Sequence, residues 1–280
     1  MLSRNIIARW VGSFWKCVGA ISIATGLIAA MYPDLFSPKG WVYLLVISVI
    51  AILYASYNAW PRNCYTIHYS HPDTSISILI GDLFKQDGHL VIGMSDTFDT
   101  EVPIIIKKNS IQGQFLEKIF NNDVSLLDKE LKQALNGIDI KEIVSDNNKK
   151  KGKNKRYPIG TVAALGKGNT FYFCVAYSHM DSNNCAQSSP CDLWNSLDNL
   201  WDAIRVHGQQ EQVSIAVVGS DLARLTNRLS RDELIKFIIL SYLSASRHRP
   251  ITKRLQIIIH PKDINNTNIV SLAEYVNYFS

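Results

Sequence analysis

Two stretches with almost no charge constrain this chain more than any other feature. Between Val11 and Met31 the only ionic residue is Lys16, and between Trp41 and Trp60 there is none. Each run approaches the ~20 residues that a helix needs to cross a hydrocarbon layer of ~30 Å. The reading is a two-helix transmembrane hairpin over residues 1–61, followed at once by a second domain over residues 62–280. A cleaved signal peptide accounts for the first run only, and no small-residue cleavage site separates it from the second. Trp10, Trp15, Tyr32, Trp41, Tyr57 and Trp60 gather near the ends of the runs, where amphipathic rings favour the membrane–water boundary. Gly12, Gly19 and Gly26 recur every seven residues, leaving a smooth face suited to close contact within the hairpin or between subunits. Arg4, Arg9 and Lys16 flank the first run and Arg62 follows the second, whereas Lys39 in the intervening loop is offset by Asp34. That asymmetry predicts a multi-pass protein with both termini and the second domain in the cytoplasm.

The second domain reads as α/β. Apolar alternation or short apolar runs predict strands at Asn63–Ser70, Ser75–Ile80, His89–Met94, Ile159–Leu165, Thr170–Tyr177, Val213–Val218 and Leu255–His260. Helical periodicity predicts helices over Ser125–Leu135 and Asp192–Val206, and Ser230 with Glu233 has capping-box spacing ahead of a third. A tail helix within Ile264–Ser280 docks through Leu272, Tyr275, Val276 and Phe279. Strands alternating with helices predict a mixed sheet covered by helices on both sides. The stretch from Asp99 to Asn122 reads as a long irregular connection.

The net charge of +5 is concentrated in one block, Lys149, Lys150, Lys151, Lys153, Lys155 and Arg156, read as a solvated loop. No nucleic-acid-binding motif accompanies it, so nucleic acid is not an expected partner; anionic lipid headgroups are the other surface such a block suits. Five cysteines at irregular spacing suggest neither a disulfide framework nor a metal site. No serine elbow, zinc-protease helix, Walker loop or dinucleotide fingerprint is present, and no residue is nominated as catalytic.

What remains is a set of turns where strands end. Gly81-Asp82-Leu83 closes one strand, and Met94, Ser95 and Asp96 close the next. Ser110, Ile111, Gln112, Gly113, Gln114 and Phe115 form a third turn; Gly219, Ser220, Asp221, Leu222, Ala223 and Arg224 form a fourth. In open α/β sheets ligands bind outside the carboxyl ends of the strands. Small and polar residues in the last two turns allow backbone N–H groups to approach a phosphate, with charge from Arg224 and Arg228. An ionised Asp82 accepts hydrogen bonds only, which suits an exocyclic amino group. Together these describe a pocket for a nucleotide diphosphate that needs no cofactor.

In this order of elements the chain resembles the macro domain, the ADP-ribose-binding three-layer α/β/α module, from about Tyr65 to Pro261. The resemblance places Asp82 on the adenine with Leu83 beside it, Ile92–Asp96 at the distal ribose, and the turns at Ser110–Phe115 and Gly219–Leu225 on the phosphates. Gly93 and Asp96 stand where the family has asparagines, and the first phosphate turn lacks most of its glycines. These departures weigh against ADP-ribosyl hydrolysis and favour binding of a modified ligand in a rebuilt distal pocket. A membrane hairpin fused to a divergent macro domain is similar to the transmembrane effectors of bacterial Thoeris antiphage systems. That similarity implies an inner-membrane location and a companion TIR-domain enzyme making an ADP-ribose conjugate, such as histidine-ADP-ribose, from NAD. It further implies homo-oligomerisation and attack on membrane lipids. The alternatives are a membrane-tethered ADP-ribosyl hydrolase, with Asp96 its one obvious base, and an adaptor for a protein partner.

Overall fold

The structure, a computed structural model, describes residues 4–31, 40–59, 64–143, 151–217 and 229–278. The chain divides into two compact units, Met1–Arg62 and Asn63–Ser280. In the first, α1 (Arg4–Met31) and α2 (Gly40–Ala59) pack together, with the Trp10 indole donating to Ser56 Oγ at 3.2 Å. Ala51 and Ala55 are buried, whereas Trp15, Ile23, Leu27, Trp41 and Leu53 point outward. Trp10–Met31 is 22 residues long and apolar enough to cross a membrane; the apolar part of α2, Trp41–Tyr57, is shorter. A Cβ added at Gly12, Gly19 or Gly26 would meet nothing within 4 Å. The glycine face is therefore not what holds α1 to α2.

The second unit is a three-layer α/β/α domain. Its sheet runs in the order β1 (Cys64–Ser70), β2 (Asp73–Ile80), β10 (Arg254–Ile259), β9 (Val213–Ala216), β3 (His89–Ser95), β7 (Thr170–Met180), β6 (Val162–Lys167). Neighbours from β2 through β7 are all parallel, so five strands end on one rim; β1 and β6 pair antiparallel at the edges. Side chains alternate between two cores as the pleat requires. Leu90, Ile92 and Met94 face α3 (Ile111–Phe120) and α4 (Val124–Ala134); Val91, Val213, Ile215 and Ile257 face α5 (Pro190–His207), α6 (Arg231–His248) and α7 (Ile269–Asn277). Three short strands complete the unit: β4 (Glu142–Ile143) pairs with β5 (Lys155–Arg156), and β8 (Ala186–Gln187) pairs with the end of β7.

Two expectations change here. The connection read as irregular contains α3, capped by Ser110, whose Oγ accepts from Gly113 N at 3.1 Å. The basic run is not simply solvated where it is described. Lys153 Nζ lies 2.5 Å from Asp128 Oδ1 and donates to Phe98 O at 2.7 Å, and Arg156 Nη1 lies 2.7 Å from buried Asp96.

Candidate functional site

Five parallel strands end on one rim, and two cavities open there. The first, about 290 Å³, is lined by Gly93, Met94 and Ser95 of β3, by Ile105–Lys107 and Ser110–Gln112 before and in α3, and by Tyr177, Ser178 and Met180 of β7. Asn184, Cys185 and Ala186 close its side. The second, about 250 Å³, lies at the ends of β9 and β10. Ala216, Val217, Ile258 and His260 line it together with Asn109, Ile111, Gln114, Arg231, Lys262 and Asp263. Ile111, the first residue of α3, lines both. An anion is favoured at such a helix start, where backbone N–H groups and the positive end of the dipole coincide.

Asp82 caps a 3-10 turn at Leu83–Lys85, accepting from Phe84 N at 3.0 Å, and pairs with Lys118 of α3 at 2.8 Å. Partial burial works to raise its carboxyl, but the Lys118 ammonium and the Phe84 N–H outweigh that and hold it below the ordinary carboxylate value. Gly81, beside it, donates to Ile259 O at 3.0 Å, which fixes the turn against β10. Asp82 is thus an ionised, partly exposed acceptor just past the end of β2, and it lines neither of the two cavities.

Other candidates are placed where they cannot touch a ligand through their side chains. Leu83 and Phe115 are buried in the core under α3 and α4, Phe115 packing on Phe120 and Tyr172 with ring centroids 5.2 Å apart. Gly113 is bare for the sake of the chain itself, because a Cβ there would overlap the carbonyl oxygens of Lys107 and Lys108. Ser110–Phe115 is therefore the start of a helix and not a glycine-rich loop. Gly219, Ser220, Asp221, Leu222, Ala223 and Arg224, with Arg228, lie outside the described residues.

Asp96 has a different role from the one its position suggests. Its side chain is 1% exposed and accepts from Arg156 Nη1 at 2.7 Å and from Met180 N at 2.9 Å, with His179 Nδ1 at 3.1 Å. It lines neither of the two cavities above but a third, about 360 Å³, beside Lys141, Glu142, Arg156, His179 and Ser182. A carboxylate so engaged is a tether between β3, β5 and β7 and not a base poised for a water.

Sequence reasoning missed Tyr177, Ser178, Met180 and the 184–186 segment. A bulge pairs Met94 with Ala176 but Ser95 with Ser178, so Tyr177 is the extra residue, and bulges at rims re-aim side chains. It also missed Arg231, His260, Lys262 and Asp263; His260 directly follows the last strand, so the strand-end rule itself would have nominated it. Among the described residues no group of three or more His, Cys, Asp or Glu side chains is placed to hold a metal ion.

Comparison with known proteins bears on these features. Residues 76–260 match the family described as "Thoeris protein ThsA, Macro domain". The Thoeris protein ThsA of Bacillus amyloliquefaciens (strain Y2) is 25% identical over 211 residues, 72% of this chain and 68% of that protein. Among solved structures, a mutant of the Oceanobacillus iheyensis macrodomain superposes with TM-score 0.50 at 11% identity, covering 78% of this chain and 95% of that one. The same macrodomain with ADP gives 0.49 at 9% identity over 78% and 96% of the two chains.

Proposed function

Because the chain belongs to the Thoeris ThsA macro-domain family, we propose that it is a bacterial antiphage effector that senses an ADP-ribose-derived signal and acts on the membrane. The observation that carries this reading is the pair of cavities meeting at Ile111 along a rim of five parallel strand ends. A nucleotide diphosphate fits that arrangement: a base toward Asp82 and the cavity with His260, phosphates near the start of α3, and a distal group in the cavity under Ile105. The signal is an ADP-ribose conjugate such as histidine-ADP-ribose, made by a TIR-domain partner. The ligand is then bound without turnover, a reading supported by Asp96 being consumed by Arg156 and the Met180 N–H. Residues 1–61 serve as a two-pass hairpin in the inner membrane with the second unit cytoplasmic. The outward apolar side chains of α1 and α2 support that placement, since exposed apolar surface on this scale belongs against lipid or another protein. Signal binding promotes assembly of several copies, and the open glycine face of α1 supports helix contact between them. The assembled helices disrupt the bilayer and arrest or kill the infected cell.

The test uses the full-length protein in detergent, titrated calorimetrically with ADP, ADP-ribose and histidine-ADP-ribose, with the ligand recovered for mass spectrometry. Binding with intact ligand returned is the expected result. Cleaved ligand would make the protein a membrane-tethered hydrolase, and no binding of any of the three would remove the nucleotide reading in favour of an adaptor.

A further inference from the structure

The wall of the 290 Å³ cavity contains Ile105, Ile106 and Lys107, which belong to no helix or strand. They sit on the connection from the end of β3 at Ser95 to the start of α3 at Ile111, and such a connection has no ladder of its own to hold it. Support comes from Asp99, which is fully buried. Its carboxylate accepts from Thr97 Oγ1 at 2.5 Å and from the backbone N–H of Lys153 at 2.6 Å, and its carbonyl accepts from the Gln112 amide. One residue thereby ties the end of β3, the first turn of α3 and the basic strap at residues 151–157. The strap is held in turn by Lys153, whose ammonium reaches Phe98 O and Asp128 of α4. Thr100 Oγ1 donates to the same Asp128 oxygen at 2.7 Å.

Strap and wall come close together at Gly152. Its φ is +87°, a conformation that side chains rarely adopt, and a Cβ there would overlap both Asp99 Oδ1 and Ile105 Cδ1. Packed interiors transmit such displacements because they hold no slack to absorb them. We infer that the strap is a positioning element for the ligand: Gly152 and Lys153, working through Asp99, set how far Ile105 stands into the cavity and so which distal group it admits. Neither residue touches the ligand. The inference rests on the nucleotide reading, because it takes this cavity as the seat of the distal group.

Two ligands separate its failure from failure of that reading. ADP ends at the second phosphate, whereas ADP-ribose carries the distal sugar. In calorimetry on the full-length protein in detergent, Gly152→Ala is expected to weaken ADP-ribose at least tenfold and ADP less than twofold. Adding Ile105→Ala to Gly152→Ala relieves the overlap with the wall while that with Asp99 Oδ1 remains, and should recover part of the lost ADP-ribose affinity with ADP unchanged, a selectivity that general loosening of the fold would not give. Equal loss for both ligands, or no loss for ADP-ribose, overturns the inference. If Gly152→Ala does not fold, Lys153→Met keeps the glycine and releases the strap from Phe98 and Asp128; it should show the same selective loss, and parallel affinities for the two ligands overturn the proposal. A parent protein that binds neither ligand defeats the nucleotide reading before any substitution is made, and the inference with it.

Discussion

Asp82 and Asp96 follow the ends of two parallel strands, yet their surroundings give them different chemistry. Asp82 keeps 28% of its side chain exposed and has one ammonium partner, Lys118, on a flexible stem that an incoming amino group can displace. Asp82→Ala is expected to lower nucleotide affinity about tenfold, the size of one charge-assisted hydrogen bond, without altering the fold. Unchanged affinity in the titration would show that the base lies elsewhere. Asp96 is buried with Arg156, so removing one partner leaves an uncompensated charge that costs about 3–5 kcal/mol. Arg156→Met should therefore depress the melting temperature of the second unit by roughly 10 °C, at about 2–4 °C per kcal/mol for a domain of this size. A shift under 2 °C would mean that His179 and the Met180 N–H suffice. Which of the two acids would remain open to a ligand was not legible in the sequence. Arg156 lies sixty positions from Asp96, inside a run whose local pattern speaks only of solvent.

Most strands and the larger helices follow from pattern, because their apolar faces have one place to go. The caps at Ser189 and Ser230 are formed as true boxes, and the second was predicted from its spacing alone. The sequence pattern fails where tertiary contact decides. In α3, Gly113 lowers helix propensity, and only the carbonyls of Lys107 and Lys108 packed against it explain why no side chain is tolerated. At the end of β7 the bulge breaks the two-residue alternation, which hides Tyr177 from any periodic reading. A further test belongs to α7. Tyr69 of β1 donates to Val276 O at 2.7 Å, and burial, reinforced by the neighbouring Tyr275, pushes its phenol up to about 12. Raised above the ordinary value near 10 of an unfolded tyrosine, this group contributes stability that is fully present below pH 10 and is lost as pH climbs toward 12. Tyr69→Phe should accordingly flatten the alkaline fall of melting temperature between pH 10 and 12. An unchanged slope would assign that fall to other tyrosines such as Tyr242, also raised by burial.

For the whole molecule the question is how a small ligand governs a large outcome. A messenger that binds resting and assembled forms equally shifts nothing, and moving the balance from 1:99 to 99:1 requires roughly 5.5 kcal/mol of preference for one of them. Under the proposed function, several copies each holding one messenger divide that demand among themselves.

The register of β1 says where such a preference has leverage. Cys64 stands opposite Leu79, so the polypeptide leaving α2 joins the sheet on the side where β2 ends and Asp82 waits, and residues 60–63 are all that intervene. Under the proposed function, coupling between messenger and membrane helices runs through this covalent join. Slack should abolish it: six Gly-Ser residues inserted after Arg62 are expected to leave messenger affinity untouched while silencing dye release from liposomes. Leakage that persists through the spacer would mean that the helices answer to crowding of the copies alone, and that the leash is only a leash.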